Sequence, residues 1–244
     1  MNQQMLTVLS NRALTASVHE MKLSGDMSAF TAPGQFVNIR LDGFYLRRPI
    51  SVCDIEGNVL TIVYKVVGHG TEAMSRLPEG TKLDVLCGLG NGYDLSKGGD
   101  RPLLIGGGVG IPPLYLLAKM LLAEGKRVTV LLGFNRADEV FYEDEFRSLG
   151  ANVTVTTADG SYGTKGFVTS ALPVGYSYFY TCGPEPMLKA VYRATETSGQ
   201  FSFEARMGCG FGACMGCSCR TVTGTKRICR EGPVLEKEEI LWEN

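Results

Sequence analysis

Four cysteines, Cys209, Cys214, Cys217 and Cys229, stand in the pattern C-x4-C-x2-C-x11-C in a chain of 244 residues. The C-x4-C-x2-C…C spacing is one that ligates a [2Fe–2S] cluster. Cluster iron is bound by thiolates, so a tight loop must present three sulfurs to one side. Gly208, Gly210, Gly212 and Gly216 give that loop the freedom to curl around inorganic sulfides with its N–H groups turned toward them. Cys229 closes the set from outside the loop. A structural zinc site is the alternative, since it too takes four thiolates. Zinc knuckles usually pair two C-x2-C units, however, and this segment has one. Cys219, two residues past Cys217, is the rival fourth ligand. Of eight cysteines, five crowd into 209–229, which speaks for metal chemistry over a disulfide framework. Cys53 and Cys87 fall in apolar runs and are expected to be buried thiols.

A one-electron cluster cannot accept a hydride, so a flavin is expected between it and NAD(H). Arg48-Pro49-Ile50-Ser51 leaves an apolar run with a guanidinium suited to a pyrophosphate and a hydroxyl suited to a flavin edge. Arg47 or Arg48 could equally be plain surface charge. Tyr64-Lys65-Val66-Val67-Gly68-His69-Gly70-Thr71 ends a strand in Gly-x-Gly-Thr and opens a predicted helix over 72–77, a seat for phosphate. Gly106-Gly107-Gly108-Val109-Gly110 follows another strand and could hold the NAD pyrophosphate, or be only a tight turn. Cys182-Gly183-Pro184 ends a further strand, where α/β sheets place ligands. Cys182 is either a core thiol there or lies beside the nicotinamide.

These residues need elements to position them. Residues 4–90 read as short Val- and Ile-rich strands (QFVNIRL, RRPISVCD, NVLTIVYKVV, TKLDVLCG) broken by Gly, Pro, Asn and Asp, the grammar of a small antiparallel barrel. SKGGDRP at 96–102 reads as a linker. Strands at 101–105, 127–132, 152–156 and 176–181 then alternate with helices. One carries Pro112 and Pro113 in its first turn and closes at Gly125, one spans 138–149, and one turns Met187, Leu188 and Val191 inward. That alternation implies a parallel sheet with helices on both faces. The expected division is 1–98 for a flavin-binding barrel, 99–203 for a nicotinamide-binding α/β domain and 204–244 for the cluster. A net charge of −1 points away from nucleic acid and anionic membranes as partners. Neither an 18-residue apolar run nor a signal peptide is read, so a cytoplasmic protein is expected.

RPIS, VGHGT, GGGVGIPPL and CGPEPM occur in the order of the motifs of the ferredoxin–NADP reductase superfamily, which the chain resembles over nearly its whole length. That superfamily's flavin motif has an aromatic where Ile50 stands. More narrowly, EARMGCGFGACMGCSC, ICREGPV, DGSYGTKGFVT and RRPISV are similar to the electron-transfer subunits of dihydroorotate dehydrogenase B. Cys219 and Cys87 depart from that pattern without removing a needed group. The resemblance implies FAD held by Arg48, Pro49, Ile50 and Ser51, by Val63, Tyr64 and Lys65, and by Gly70 with Thr71. It implies NAD at Gly107, Gly108, Gly110, Cys182, Gly183 and Pro184, and cluster ligands Cys209, Cys214, Cys217 and Cys229. The implied partner is an FMN-containing dihydroorotate dehydrogenase catalytic subunit of pyrimidine biosynthesis, in a heterotetramer of two chains of each kind. Electrons from dihydroorotate would pass from the partner's FMN through the [2Fe–2S] cluster to FAD, and leave as hydride on NAD+. With two histidines and no Ser/His/Asp set, no dihydroorotate site is expected in this chain. Arg136 could meet an NADP 2′-phosphate, but Asp138, Glu139, Glu143, Asp144 and Glu145 follow it, which favours NAD. The rival readings are the flavin subunit of an NADPH-using sulfite reductase, hydrogenase or transhydrogenase complex, and a non-catalytic redox sensor. ICREGPV and the tight cysteine loop favour the first reading over the other complexes, and an NADH-reducible FAD would count against a sensor.

Overall fold

The structure, a computed structural model, describes residues 1–242. Strands β1 (Asn2–Ala13), β2 (Val18–Ser24), β3 (Phe36–Ile39), β4 (Arg48–Glu56) and β5 (Val59–Lys65), the short helix α1 (His69–Ser75) and strand β6 (Lys82–Leu89) make the first half. The strands close into an antiparallel barrel in the order β1-β2-β5-β4-β3-β6. The four apolar runs of the sequence are β3 to β6. The long β1 and β2 escape that pattern because polar residues fill most of β1, with Leu6 and Val8 as its buried apolar pair. Leu6, Met21, Val37, Ile39, Leu60, Ile62 and Val85 fill the interior.

The second half runs β7 (Pro102–Gly107), α2 (Pro113–Ala123), β8 (Thr129–Phe134), α3 (Glu143–Ser148), β9 (Asn152–Thr157), β10 (Thr164–Lys165), β11 (Tyr178–Cys182), α4 (Glu185–Ala194) and β12 (Gly199–Ser202). The cysteine segment adds a hairpin of β13 (Ser218–Thr221) and β14 (Gly224–Arg227), then β15 (Val234–Glu236). The sheet order is β10-β9-β8-β7-β11-β12-β15, parallel except where β15 pairs antiparallel with β12. The segment after residue 203 is therefore stitched into the parallel sheet, which its composition did not announce. Side chains alternate between the two faces. Leu104, Val130 and Leu132 meet Leu114, Leu117 and Leu121 of α2 on one face. Leu103, Ile105 and Leu131 meet Leu188 and Val191 of α4 on the other.

Two helices differ from expectation. The helix predicted over 138–149 is cut to α3, preceded by a 3-10 turn at Ala137–Glu139. Tyr142 between them sits at φ 67, and both Phe141 and Tyr142 are buried in an aromatic cluster with Phe134 and Tyr115. Tertiary packing overrides helical propensity there. Helix α1 starts at His69 rather than Glu72, so Gly70 and Thr71 lie within its first turn.

Barrel and sheet are tied together by polar contacts, the Tyr142 one buried. The Tyr142 hydroxyl donates to Glu20 Oε2 of β2 at 2.8 Å, and Arg12 pairs with Glu20 Oε1 at 2.8 Å. Lys119 of α2 pairs with Asp54 and Glu56 of β4 at 3.0 and 2.8 Å. Asn91, after β6, donates to the Val234 carbonyl at 2.7 Å and accepts from the Val234 amide at 3.1 Å.

Candidate functional site

The cysteine loop is wrapped around its own sulfurs. Cys209 Sγ accepts from the amides of Ala213 and Cys214 at 3.2 and 3.4 Å. Cys214 Sγ accepts from the amides of Cys209 and Gly216, each at 3.5 Å, and Cys217 Sγ accepts from the Cys229 amide at 3.4 Å. Gly210 and Gly212 take the positive φ values the curl requires, +80 and +93, and Met215 joins them at +62. Gly208 instead allows close approach, since a Cβ there would lie 3.3 Å from Cys214 Sγ. Burial opposes the Cys209 thiolate, but amides of Cys214, Phe211 and Ala213 outweigh it and bring its pKa down to about 6. Burial, together with the neighbouring Cys217 and Cys209 sulfurs, pushes Cys229 up to about 12. Such crowding of sulfurs is what a cationic iron centre would relieve. Among the described residues no three His, Cys, Asp or Glu side chains are gathered about one point for a single ion. The fit to a cluster rests on the ring of amides. Cys219 lies in the β13–β14 hairpin opposite Lys226, its thiol raised by burial and by Cys217. Two supports escaped the sequence reading. Arg227 donates to the Gly212 carbonyl at 2.7 Å, and Asn38 of β3 donates to the Cys209 carbonyl at 3.2 Å. A polar residue between the apolar pair Phe36-Val37 and Ile39 was the available signal for Asn38.

The flavin motifs face one another across an opened seam of the barrel. Residues Val52–Glu56 of β4 pair with β5 as far as Ile62, but Arg48–Ser51 pair with β3 alone and Val63–Lys65 with β2 alone. Pro49, which has no N–H to give, sits in the parted stretch. The backbone edges of both motifs are thus left for a ligand, which is the cradle a flavin needs. At one end of the seam the Arg48 guanidinium lies against Gly70, where any Cβ would collide with it, and stacks over Phe44 at 4.9 Å. The amides of Gly70 and Thr71 precede the first intrahelical bond, Glu72 N–H to the Gly68 carbonyl at 2.9 Å. The Thr71 hydroxyl is already engaged, accepting from Val67 and Gly68 amides at 2.9 and 3.3 Å and donating to the Gly68 carbonyl. Val63 and Tyr64 side chains are buried, Tyr64 donating to Asn11 at 2.9 Å, so this strand offers its backbone.

The nicotinamide motifs also meet. β7 and β11 lie side by side, with Cys182 opposite Gly106. A Cβ on Gly110 would collide with the Cys182 carbonyl, and one on Gly107 with Met187. These glycines let the two loops pack together. Gly108, at φ +52, has open space beside it, where a pyrophosphate can approach the backbone. A 3-10 turn over Gly108–Gly110 separates β7 from α2, a step the sequence reading did not foresee. Burial pushes the Cys182 thiol up to about 12, which keeps it protonated. Arg136 is paired with Asp138 at 3.1 Å.

Comparison with known proteins agrees with this arrangement. A family profile described as the iron-sulfur cluster binding domain of dihydroorotate dehydrogenase B matches residues 204–241, and one described as the oxidoreductase NAD-binding domain matches 104–193. The dihydroorotate dehydrogenase B (NAD(+)) electron transfer subunit of Fusobacterium nucleatum is 44% identical over 96% of each chain. The protein of that name from a Geobacillus strain is 41% identical over 99% of each. A solved structure of an NADH-dependent reduced ferredoxin-NADP oxidoreductase superposes with a TM-score of 0.89 at 31% identity, covering 97% of this chain and 90% of that one. A ferredoxin NADP+ reductase from Neisseria gonorrhoeae, solved with FAD and NADP, shares the fold at a TM-score of 0.69 and 16% identity, over 80% and 90% of the two chains. With the parted barrel seam and the amide-ringed cysteines already in place, identity at this level over nearly the full length makes the chain a member of the dihydroorotate dehydrogenase B electron transfer subunit family.

Proposed function

We propose that this chain carries electrons between NAD(H) and a partner subunit that oxidises dihydroorotate at FMN, in pyrimidine biosynthesis. The observation that carries the reading is the convergence of three binding sites in one chain: the opened seam, the paired glycine loops and the cysteine loop hydrogen-bonded to the seam's neighbouring strand. When bound, FAD trades a hydride with NAD(H) and single electrons with the [2Fe–2S] cluster.

Arg48 binds the flavin pyrophosphate together with the amides of Gly70 and Thr71. Pro49, Ile50, Ser51 and the Val63–Lys65 backbone line the ring. Gly107, Gly108 and Gly110, with Cys182, Gly183 and Pro184, seat the nicotinamide nucleotide. Cys209, Cys214, Cys217 and Cys229 ligate iron, and the exposed Cys214 brings one side of the cluster site to the surface, as electron exchange with another subunit requires. The working division is 1–98 for flavin, 99–203 for NAD and 204–244 for the cluster, the last two residues lying outside the described ones. The assembly is a heterotetramer of two chains of each kind. We place it in the cytoplasm, where eight free thiols persist; no helix among the described residues is long and apolar enough to cross a membrane. The likeness to the ferredoxin-NADP oxidoreductase would suit NADP, but Arg136 is already paired with Asp138, and the reading stays with NAD.

The test is reconstitution. The FAD-loaded chain alone should pass electrons from NADH to an artificial acceptor and leave dihydroorotate untouched. Adding the FMN subunit should couple dihydroorotate to NAD+. Oxidation of dihydroorotate by this chain alone would overturn the reading.

A further inference from the structure

Asn38 stands where the flavin strands and the cysteine loop meet. Its neighbours Val37 and Ile39 point into the barrel core, so Asn38 and Phe36 face outward. On that outer face Phe36, Leu86 and Leu89 pack with Cys217, Ile228 and Cys229 in one apolar cluster. Asn38 is the polar residue of β3 set among them, and it is 1% exposed. Its cross-strand partner is Pro49, and that of Phe36 is Ser51, so two residues of the flavin motif share its face. Its Nδ2 donates to the Cys209 carbonyl at 3.2 Å, and the loop closes so tightly over it that a Cβ on Gly210 would collide with Nδ2. Its Oδ1 is buried without a hydrogen-bond partner. A buried carboxamide oxygen left unpaired is destabilising, so the fold retains it for a partner that arrives later.

We propose that Asn38 is a positioning residue that joins the flavin site to the cluster site: its NH2 holds the Cys209 carbonyl, and its free Oδ1 accepts a hydrogen bond from the flavin seated against the Pro49–Ser51 strand. This rests on the flavin and cluster reading above. The bond to Cys209 polarises the peptide of a ligand and favours added electron density at the iron. It also gives the two redox sites a short bonded connection through β3 and the loop.

The test uses the holoprotein in three variants. Asn38→Leu keeps the branched outline and suits the apolar face, Asn38→Gln keeps the carboxamide, and Gly210→Ala sets a Cβ against Asn38 Nδ2 and so forces the loop and that side chain apart. Iron and flavin content, and reduction of the flavin by NADH in the parent, test the underlying reading. The cluster's reduction potential by EPR-monitored titration, and the rate of cluster reduction by NADH, test Asn38. Asn38→Leu and Gly210→Ala should shift the potential downward and slow cluster reduction about tenfold, the scale of one lost hydrogen bond. Asn38→Gln should recover at least part of both. A parent protein without iron or flavin overturns both readings. Parent-like potential and rate in a fully loaded Asn38→Leu or Gly210→Ala overturns the role of Asn38 alone. If Asn38→Leu does not load, Gly210→Ala and Asn38→Gln decide by the same two readouts, and values alike in both and equal to the parent overturn it.

Discussion

Cys229 and Cys219 carry the same thiol in different surroundings. Cys229 is buried with its amide on Cys217 Sγ, within the apolar group that backs the loop. Cys219 sits on a hairpin strand, across from Lys226. Cys229→Ser should therefore lose the visible absorbance of the cluster and most of the iron, while Cys219→Ser keeps both; the reverse result would exchange their roles. Arg48 makes a second test at this scale. Its guanidinium is held between Phe44 and Gly70, at the end of the seam where the free amides of α1 begin. Arg48→Ala should weaken FAD retention by about 1.5–3 kcal/mol, as expected for a charge-assisted bond to phosphate. Flavin content unchanged after dialysis would remove Arg48 from the site. Both were singled out in the sequence by type and spacing, the cysteines by a regular pattern and Arg48 by its place in the RPIS motif. Asn38 and Arg227 were not, since a carboxamide and a guanidinium serve many ends and only the folded chain shows which carbonyl each one holds.

Elements were legible where a short local pattern decides them. The strands of the parallel sheet and the helix that opens on two prolines are apolar runs bounded by turn residues, and they appear within a few residues of expectation. The antiparallel addition of β15 to β12 was not legible, because that register is set by a distant partner. The split of the predicted 138–149 helix has the same origin. Tyr142 leaves helical geometry to bury its ring and place its hydroxyl on Glu20. Burial, then Cys53 and Glu20, raise that phenol well above its ordinary pKa, so it stays a donor. Tyr142→Phe should then cost about 1.5–3 kcal/mol in urea unfolding, the range for a hydrogen bond to a charged group. A loss under about 0.5 kcal/mol, the ordinary scatter of neutral substitutions, would mean that the Arg12–Glu20 pair holds the carboxylate unaided.

At the scale of the whole molecule, the three proposed sites sit on one connected frame. The sheet carrying the glycine loops is tied to the barrel through Glu20, Asp54 and Asn91, and the cysteine loop lies over the barrel face that adjoins the flavin strands. The nicotinamide and flavin sites belong to this chain, so hydride exchange between them needs no partner. Single electrons must leave by the cysteine loop, whose Cys214 is exposed while Cys217 and Cys229 are buried in apolar packing. Of the four proposed ligands Cys214 is the exposed one, so its loss should disturb the fold least. Cys214→Ser should keep NADH-to-dye activity in the isolated chain, because neither nucleotide site touches that residue. In the complex with the FMN subunit the same variant should bring dihydroorotate-to-NAD+ transfer to background, because the connection between the two flavins is cut while each hydride site is left standing. Full coupled activity in a Cys214→Ser complex shown to lack iron would mean that electrons cross between subunits by another route.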